Sequence, residues 1–443
     1  MSQAPQAQQP HWLPLHQLSL CRLALYWLCV WGLLCAASTQ VSAAAPEAAH
    51  VVRVRVVTDE PWVEIRGQVG GPVRITAAKG GLAIDGRKVG REWRSSDNSP
   101  FVIKTAGGGN LKVRDGLVVR RSAGGVSVNN RVSLENYVAG TLGGEMISSW
   151  EQAALRAQAV ACRSYVLYQM GERTGEPYDV SADVLSQRYL GVRGESNPGW
   201  RAVRATTGEI LSYAGRPALA AFHSASGGHS ASAAEVWGTR VPYLTSAPVS
   251  YEDDSPDTFW RVAIADEIMA EGLATLGHRI GKIEQIKVVK RSSSGRVGKL
   301  RFRGTKGRAT VTGREIRQVL GSVTIRSTLF EIKRGDGQVV FVGSGHGHGV
   351  GMSQWAAQGM AQEGEGYREI LGKFYPGTDI VKVVDLTRRF AKLPAVSLPA
   401  KPGRAGHVDS LSTVDAGRTK QDKALGGNVR STDKKDRIGD RQQ

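Results

Sequence analysis

Residues 50 to 133 alternate apolar and polar side chains over short runs, which is typical of β-strands that bury one face. Glycine-rich breaks separate the runs and mark the expected turns. The predicted strands are VVRVRVV, WVEIRG, VRITAA, LAID, FVIKT, LKVR, LVVRRS and VSVNNRVS. The pattern therefore predicts a β-rich region over residues 50 to 133.

The spacing of apolar residues becomes helical after residue 133. A helix is predicted over SLENYVAG, and a longer one from about Ser149 to Met170, closed by Gly171. Farther along, the pattern predicts a helix near 266–276, a strand pair over 280–312, a short helix over 313–320 and helices between 352 and 374. We therefore predict an α+β fold, in which a β-rich N-terminal lobe and a mixed lobe meet at a groove. We divide the chain into a β-rich region (50–133), a core (134–262), a small α/β insertion (263–335) and a C-terminal part of the core (336–393).

The two ends of the chain differ in composition from its middle. Arg22, the apolar run LALYWLCVWGLLCAA and the small residues at 41–43 predict a signal peptide over residues 1–43. An uncleaved anchor is the alternative, and only then would the protein stay at the membrane. Residues 394–443 bury too little apolar area to fold and are predicted to be a disordered basic tail. The protein is thus expected in the periplasm or cell wall.

The chain carries a large positive net charge. Lys and Arg total 58 against 40 Asp and Glu, which gives +18 and favours an anionic partner such as a cell-wall polymer. A solvated basic surface without a partner is the alternative. No stretch resembles a zinc finger or an RNA-recognition motif, so nucleic acid is not expected as a partner.

Cysteine usage leaves one thiol outside the leader. Cys21, Cys29 and Cys35 lie in the predicted signal peptide, so Cys162 is alone in the mature chain and no intrachain disulfide is expected there. Cys162 lies on the apolar stripe of the long helix, and we interpret it as a core residue rather than a nucleophile.

Glu145 is the main candidate for acid–base chemistry. Ser148 with Glu151, or Ser149 with Gln152, has the spacing of a capping box, which predicts that the long helix starts there and that Glu145 lies in the loop before it. In one interpretation this carboxylate complements the dipole at the helix N-terminus. In the other it is a general acid, and its apolar neighbours must raise its pKa.

The stretch GSGHGHGVGMSQ at 343–354 raises three possibilities for His346 and His348. A metal site would need further ligands nearby, and the sequence offers none, so no metal is predicted. The glycines permit a tight turn, or a loop whose N–H groups face the oxygens of a substrate. No other cofactor is predicted.

Seven stretches resemble the SpoIID/LytB family, which comprises stage II sporulation protein D and the amidase enhancer LytB. They run from about Leu134 to Thr378 in the order of the family: LENYVAGTLGGEM, EQAALRAQAVACRSYVLY, SQRYLG, AVRATTGEIL, AFHSASGGHSASAAEVWG, PYLTSAPVSYED and GHGHGVGMSQWAAQGMAQEGEGYREILGKFYPGT. The resemblance implies a lytic transglycosylase that cuts glycan strands without stem peptides, with Glu145 of the GGEM motif as the catalytic residue. The alternative is a non-catalytic enhancer of a cell-wall amidase.

One carboxylate is sufficient for the implied reaction, because the 6-hydroxyl of the muramic acid can attack the anomeric carbon in place of water. Some members of the family carry a zinc ion, but Ser186 stands where their cysteine precedes Gln187, so no zinc is expected here.

Six further residues are expected at the substrate. His348 and Gln354 are placed beside the groove by the glycine-rich loop. The stretch FHSASGGHS lacks a nucleophile elbow, and its His223 or Ser226 is expected to orient sugar hydroxyls instead. Arg163 and Tyr165 are expected to reach the same cleft.

Overall fold

The computed structural model describes residues 50–95, 100–183 and 186–385 of the 443-residue chain. The predicted signal peptide and the predicted disordered tail lie outside the described residues. The fold contains both helices and strands, and the strands form several separate sheets. The predicted α+β class is therefore confirmed. No described helix has both the length and the apolar character that a membrane crossing requires.

The described residues of the β-rich N-terminal part form ten strands. They are β1 (Val51–Glu60), β2 (Trp62–Arg66), β3 (Val73–Ala78), β4 (Gly81–Ile84), β5 (Arg87–Val89), β6 (Glu92–Arg94), β7 (Phe101–Thr105), β8 (Asn110–Val113), β9 (Gly116–Arg121) and β10 (Val126–Ser133). One sheet has the order β5-β4-β3-β2-β7-β8. The other is completed by β11 (Val180–Ser181), parallel to β1, and has the order β11-β1-β10-β9-β6. The inward side chains of both sheets, such as Val54 and Ile75, share one core, as strands of period two allow.

Two helices follow the strands. Helix α1 (Leu134–Glu145) is longer than the sequence pattern predicts and ends at Glu145. Helix α2 (Gln152–Glu172) begins after Glu151, which makes no side-chain capping hydrogen bond. The prediction of a capping box at residue 148 or 149 is therefore wrong, because these residues belong to the turn between the helices.

Short elements then surround α2 and complete the first core. They are a 3-10 turn (Gly191–Gly194), α3 (Asn197–Ala205), β12 (Glu209–Tyr213), β13 (Arg216–Pro217), β14 (Phe222–His223) and α4 (Ala233–Trp237). Ser232 and Glu235 form a capping box at the start of α4.

Residues between 260 and 343 build a second hydrophobic core. Its elements are β15 (Trp260–Ala265), α5 (Asp266–Thr275), β16 (Ile283–Arg291), β17 (Val297–Gly304), β18 (Gly307–Thr312), α6 (Gly313–Leu320), β19 (Phe330–Gly335) and β20 (Gln338–Gly343). They form two three-stranded sheets, β15-β20-β19 and β16-β17-β18. Leu273, Phe302 and Phe341 are buried in this core. The domain boundaries drawn from the sequence stay an interpretation.

The chain then returns to the first core. It does so with β21 (Met352–Ser353), α7 (Gln354–Gln362), α8 (Tyr367–Phe374) and β22 (Asp379–Lys382). Strand β21 pairs in parallel with β14, and β22 pairs with β12. These pairings bring the start of α7 to the first core, where α1 ends.

Candidate active site

Glu145 ends α1, and the last turns of this helix press against residues 187–194. A Cβ at Gly143 would lie 2.2 Å from Gly194 O, and a Cβ at Gly144 would lie 2.1 Å from Arg188 O. Any larger residue at either position would collide with backbone that has little freedom to move. The two glycines therefore allow the approach that brings the backbone of Arg188 to the Glu145 carboxyl.

The Glu145 carboxyl is held from two distant parts of the chain. The Arg188 backbone N–H donates to Oε1 across 2.6 Å. The side chain of Gln354, the first residue of α7, also hydrogen-bonds the carboxyl. Glu145 as a residue is half-buried, so it has defined neighbours and is partly accessible to solvent.

The pKa of Glu145 lies above the ordinary value for glutamic acid. Loss of solvation on burial is the largest cause, and the contacts with Arg188 and Gln354 oppose it. The negative end of the α1 dipole acts in the same direction as burial, because Glu145 is the last residue of that helix. The interpretation of Glu145 as a partner for a helix N-terminus is therefore wrong. The arrangement favours a carboxyl that retains its proton to higher pH than a free glutamate.

Uncharged side chains lie behind Glu145. Gln354 Nε2 reaches within 3.5 Å of Gln158 Oε1, and Gln158 Nε2 contacts Cys162 Sγ at 3.3 Å. The pKa values of Cys162 and Tyr165 are raised, mainly by burial and in part by the nearby charge of Glu145. Cys162 is fully buried, in keeping with its interpretation as a core residue. Within the described ranges, no Asp or Glu contributes to the pKa of Glu145.

Apolar side chains follow both Glu145 and its partner Gln354 along the chain: Ile147 and Trp150 come after Glu145, and Trp355 comes after Gln354. Trp150 and Trp355 meet edge to face, with ring centroids 4.8 Å apart. Ile147 is 51% exposed. The backbone N–H of Glu151 donates to Gln358 Oε1 across 2.9 Å, which fixes the start of α2 to α7. Large flat side chains of this kind offer contact area for the C–H faces of a sugar ring.

Arg163 lies in the core and not in a cleft. Its guanidinium is fully buried and donates to both carboxylate oxygens of Glu135, at 2.8 and 3.0 Å, and to Glu209 O at 2.7 Å. A guanidinium that is buried and bonded to the protein in this way cannot contact a substrate, so the expected role of Arg163 in substrate binding is wrong. Tyr165 is half-buried close to Glu145, and burial raises the pKa of its hydroxyl to about 12. Its contact with substrate stays a prediction.

His223 and Ser226 belong to a buried cluster around Glu252. His223 Nδ1 lies 3.1 Å from Val350 O, and its Nε2 lies 2.8 Å from Ser226 Oγ. The carboxylate of Glu252 accepts from the backbone N–H groups of residues 226, 227 and 228, at 2.5, 2.9 and 3.0 Å, and from the Ser353 hydroxyl. His223 is 4% exposed and Ser226 0%. The expectation that they orient sugar hydroxyls is wrong, because they stabilise the loop from inside.

His346 and His348 face different partners. His346 Nδ1 lies 3.0 Å from Asp257 Oδ2. His348 Nδ1 accepts the Val350 N–H at 3.0 Å, and its ring packs against Trp237 at 5.4 Å. Burial, followed by nearby arginines, lowers the pKa of His348 to about 3, so its imidazole is neutral. In the part of the chain that the structure describes, no group of three or more potential ligands could hold a metal.

The glycines of this stretch are explained by close packing. Gly351 has a φ of 72° and a Cβ there would lie 2.0 Å from Ala221 O. A side chain at this position would be both strained and in collision. The turn-packing interpretation therefore accounts for Gly351, and the placement of His348 beside a substrate stays a prediction. Gln354, which follows the turn, contacts Glu145.

Comparisons with known proteins address the same region. The family model for SpoIID, the stage II sporulation protein, matches residues 122–213, which include Glu145 and Arg188. Stage II sporulation protein D of Bacillus amyloliquefaciens is 31% identical over 278 residues, which are 57% of this chain and 75% of that relative. The chain belongs to the SpoIID family.

Two further relatives of this SpoIID chain differ in name. An uncharacterized protein of Brachyspira hyodysenteriae is 33% identical over 267 residues, 59% of this chain and 70% of that protein. The amidase enhancer of Bacillus subtilis is 29% identical over 291 residues, which cover 54% of this chain and 40% of the enhancer. A second family model, for a domain of unknown function, matches residues 235–351. Neither family model reaches Gln354.

Three contacts of the SpoIID site were not predicted from the sequence. Arg188 contacts Glu145 through its backbone N–H, so the type of residue at position 188 does not indicate the contact. Gln158 and Trp355 lie on helices α2 and α7 and look like ordinary helix residues. Their only signal was that each lies within a stretch that resembles the family.

Proposed function

We propose that this protein is an exported peptidoglycan-remodelling enzyme, a lytic transglycosylase in which Glu145 is the single general acid and base. The observation that carries the proposal is the carboxyl at the end of α1, half-buried and with a raised pKa. A general acid must hold its proton near the working pH, and this environment favours the protonated form.

The surroundings of Glu145, as far as the structure describes them, suit a reaction that needs one carboxyl group. Among the described residues, none of the groups that shift the pKa of Glu145 is an acid. Hydrolysis of a glycosidic bond ordinarily uses two carboxyl groups, whereas an internal nucleophile needs one. Glu145 would give its proton to the glycosidic oxygen as the bond to the anomeric carbon breaks. The 6-hydroxyl of the muramic acid would then bond to that carbon and return its proton to Glu145, so that no water is consumed.

The neighbouring residues have matching roles in this proposal. The Arg188 N–H and the Gln354 amide hold the carboxyl in one orientation. Ile147, Trp150 and Trp355 supply apolar surface for the sugar ring. Tyr165 and His348 stay candidates for contact with the glycan strand. As in the family that the sequence resembles, the preferred substrate would be glycan strands without stem peptides.

The test is digestion of glycan strands stripped of stem peptides, followed by mass spectrometry. Wild-type protein should release fragments with 1,6-anhydro ends, and a Glu145→Gln variant should release none. Glu172→Gln is a matched control, because Glu172 is the exposed last residue of α2 and should leave the product unchanged. Fragments with ordinary reducing ends would indicate a hydrolase and overturn the proposal.

A second function is favoured by the relative that is named an amidase enhancer. In that case the protein would bind the cell wall and stimulate an N-acetylmuramoyl-L-alanine amidase without chemistry of its own. The wild-type protein would then yield no anhydro ends but would raise the rate of the amidase on intact wall. A Glu145→Gln variant would retain this stimulation, because proton transfer plays no part in it.

A further inference from the structure

A cavity of about 510 Å³ lies away from Glu145, on the five-stranded N-terminal sheet. Four of its lining residues are arginines from four different strands. The lining consists of Arg53, Arg94, Val118, Arg120, Asn129, Arg131 and the turn at residues 175–177. Among the described residues that line the cavity, none is a histidine or an aromatic residue.

The alternation of the strands brings these arginines together. In β1, Val52 and Val54 face the core, so Arg53 faces outward. Arg53 is paired with Arg131 on β10, directly across the sheet. Arg120 on β9 and Arg94 on β6 continue the same face toward the far edge of the sheet. Because adjacent strands are about 4.8 Å apart, the four arginines span about 14 Å across the sheet. Along the strands, Arg94 lies two residues and Arg120 four residues from the level of the Arg53–Arg131 pair.

The carboxylates beside the cavity only partly balance these charges. Arg94 and Arg120 share one carboxylate, that of Glu92, each at 2.5 Å. Arg53 is bound by the buried Asp179. Among the residues that the structure describes, Arg131 has no carboxylate within ion-pair distance and is exposed. A third carboxylate, that of the exposed Glu176, also lines the cavity, so the four arginines face three carboxylates and one net positive charge remains for an external anion.

The same ion pairs hold the guanidinium groups in place before any ligand binds. Asp179 accepts from the Arg53 side chain and from its backbone N–H, at 2.7 Å for the latter. Glu92 accepts from Arg120 Nε at 2.6 Å. Fixed guanidinium groups match the oxygens of a phosphate through paired hydrogen bonds, and less ordering is then needed on binding.

The chemistry of the lining narrows the class of ligand. Recognition of nucleic acid bases or sugar rings commonly uses aromatic stacking, and the described lining residues include no aromatic ring. A flexible chain with a phosphate every few ångströms can follow cations that are spaced over one face of the sheet, and it needs no aromatic partner. We propose that this cavity binds consecutive phosphate groups of a linear polyol-phosphate polymer. The site is independent of the reaction proposed for Glu145.

The test is binding of fluorescently labelled poly(glycerol phosphate) to the whole protein, followed by anisotropy at low and at physiological salt. The double variant Arg94→Gln/Arg131→Gln should weaken binding by at least about tenfold, and the affinity of the wild type should fall as salt rises. Both side chains are exposed, so the melting temperature should not change. Glu145→Gln should bind as the wild type does.

The control variant is Arg308→Gln, which removes an exposed arginine from β18 in the second core and should leave binding unchanged. If Arg308→Gln weakened binding of the polymer as much as the double variant does, net charge alone would attract the polymer. That result would overturn the proposed site. Absence of binding by the wild type would do the same. Equally tight binding of polyglutamate of matched charge would overturn the assignment to phosphate.

Discussion

The backbone amide of Arg188 donates a hydrogen bond of 2.6 Å to Glu145 Oε1, although the two residues are 43 positions apart in the chain. A main-chain donor stays in place when the side chain of its residue is changed. The position of the proposed acid therefore depends on how closely the backbone at 188 packs against the end of α1. Gly143 and Gly144 set that distance.

Gly144→Ala should separate Glu145 from Arg188. The added Cβ would lie 2.1 Å from Arg188 O, so the segment that carries the amide must move. We expect a loss of about 1–3 kcal/mol in the free energy of unfolding, which is typical of overpacking. Formation of anhydro ends should fall by more than tenfold, because general acid catalysis depends on position. Urea unfolding and product analysis measure the two effects.

Gly171→Ala is the control for this substitution. Gly171 lies inside α2, and nothing stands within 4 Å of the position that its Cβ would take. Alanine should be neutral there or should stabilise the helix by about 0.5–1 kcal/mol. If Gly144→Ala proved as harmless as Gly171→Ala, the close approach of residue 188 would not be what positions Glu145.

Gln354→Leu should move the alkaline limb of the pH–rate profile upward. The Gln354 side chain lowers the pKa of Glu145, because its hydrogen bond stabilises the charged carboxylate. Without this bond, the proton would be held to higher pH, while the looser carboxyl would reduce the maximal rate. The measurement is kcat/KM against pH on stripped glycan strands. Gln362→Leu, at the exposed end of the same helix, should keep the wild-type profile. A downward shift in Gln354→Leu would contradict the assignment.

Glu145→Gln should raise the melting temperature at pH 7 by a few degrees at most. A raised pKa in the folded state means that the folded protein holds this proton more tightly than the unfolded chain does. Its favourable contribution is present below the ordinary pKa of 4.5 and is lost as pH rises through the folded value. At pH 7 the charged carboxylate of Glu145 makes the wild type less stable, whereas the glutamine of the variant does not ionise. The higher melting temperature of the variant at pH 7 should therefore vanish near pH 4. A constant advantage at every pH would point to a cause other than ionisation.

The sequence predicted the elements well wherever the period of the pattern was decisive. The alternation over residues 50 to 133 corresponds to ten strands, and the helix over 313–320 is present as α6. It failed at the end of α1, because a Gly-Gly pair ordinarily marks a break. Here the pair lies inside a helix, since residues 188 and 194 pack where side chains would be. The glycines are thus required by contacts with residues distant in the sequence, which the residues around 143 and 144 do not reveal.

The candidate site was predicted only in part for a similar reason. Glu145 stood out because it has apolar neighbours and precedes the long helix, and the resemblance to the family then pointed to the same residue. His223 and Ser226 looked functional because polar residues in a glycine-rich stretch usually face solvent. Their burial depends on Glu252, which is 26 positions beyond Ser226 and whose carboxylate collects the N–H groups of that loop. A single sequence does not show which carboxylate will accept the backbone N–H groups of a loop.

Glu252→Gln should therefore destabilise the protein strongly. The side-chain amide would turn an N–H toward at least one backbone N–H that now donates to the carboxylate at 2.5–3.0 Å. Leaving such donors buried without an acceptor should cost about 2–4 kcal/mol in the free energy of unfolding. Denaturant unfolding is the measurement. Asp254→Asn, two residues away and exposed, should change the free energy by less than about 0.5 kcal/mol. Equal effects would mean that Glu252 is not the acceptor that organises this loop.

His348→Gln should reduce the sensitivity of the fold to acid. Burial, followed by the charges of Arg317 and Arg296, lowers the pKa of His348 from 6.5 to about 3. Between these values the unfolded chain binds a proton that the folded protein does not. Stability therefore falls as pH decreases from 6.5, by up to about 1.4 kcal/mol per pH unit for this one group. Glutamine cannot take up that proton, so the slope of unfolding free energy against pH should decrease by about one proton. An unchanged slope from pH 6.5 to 4 would mean that His348 is protonated in the folded state, and that the ring is not the neutral acceptor of the Val350 N–H.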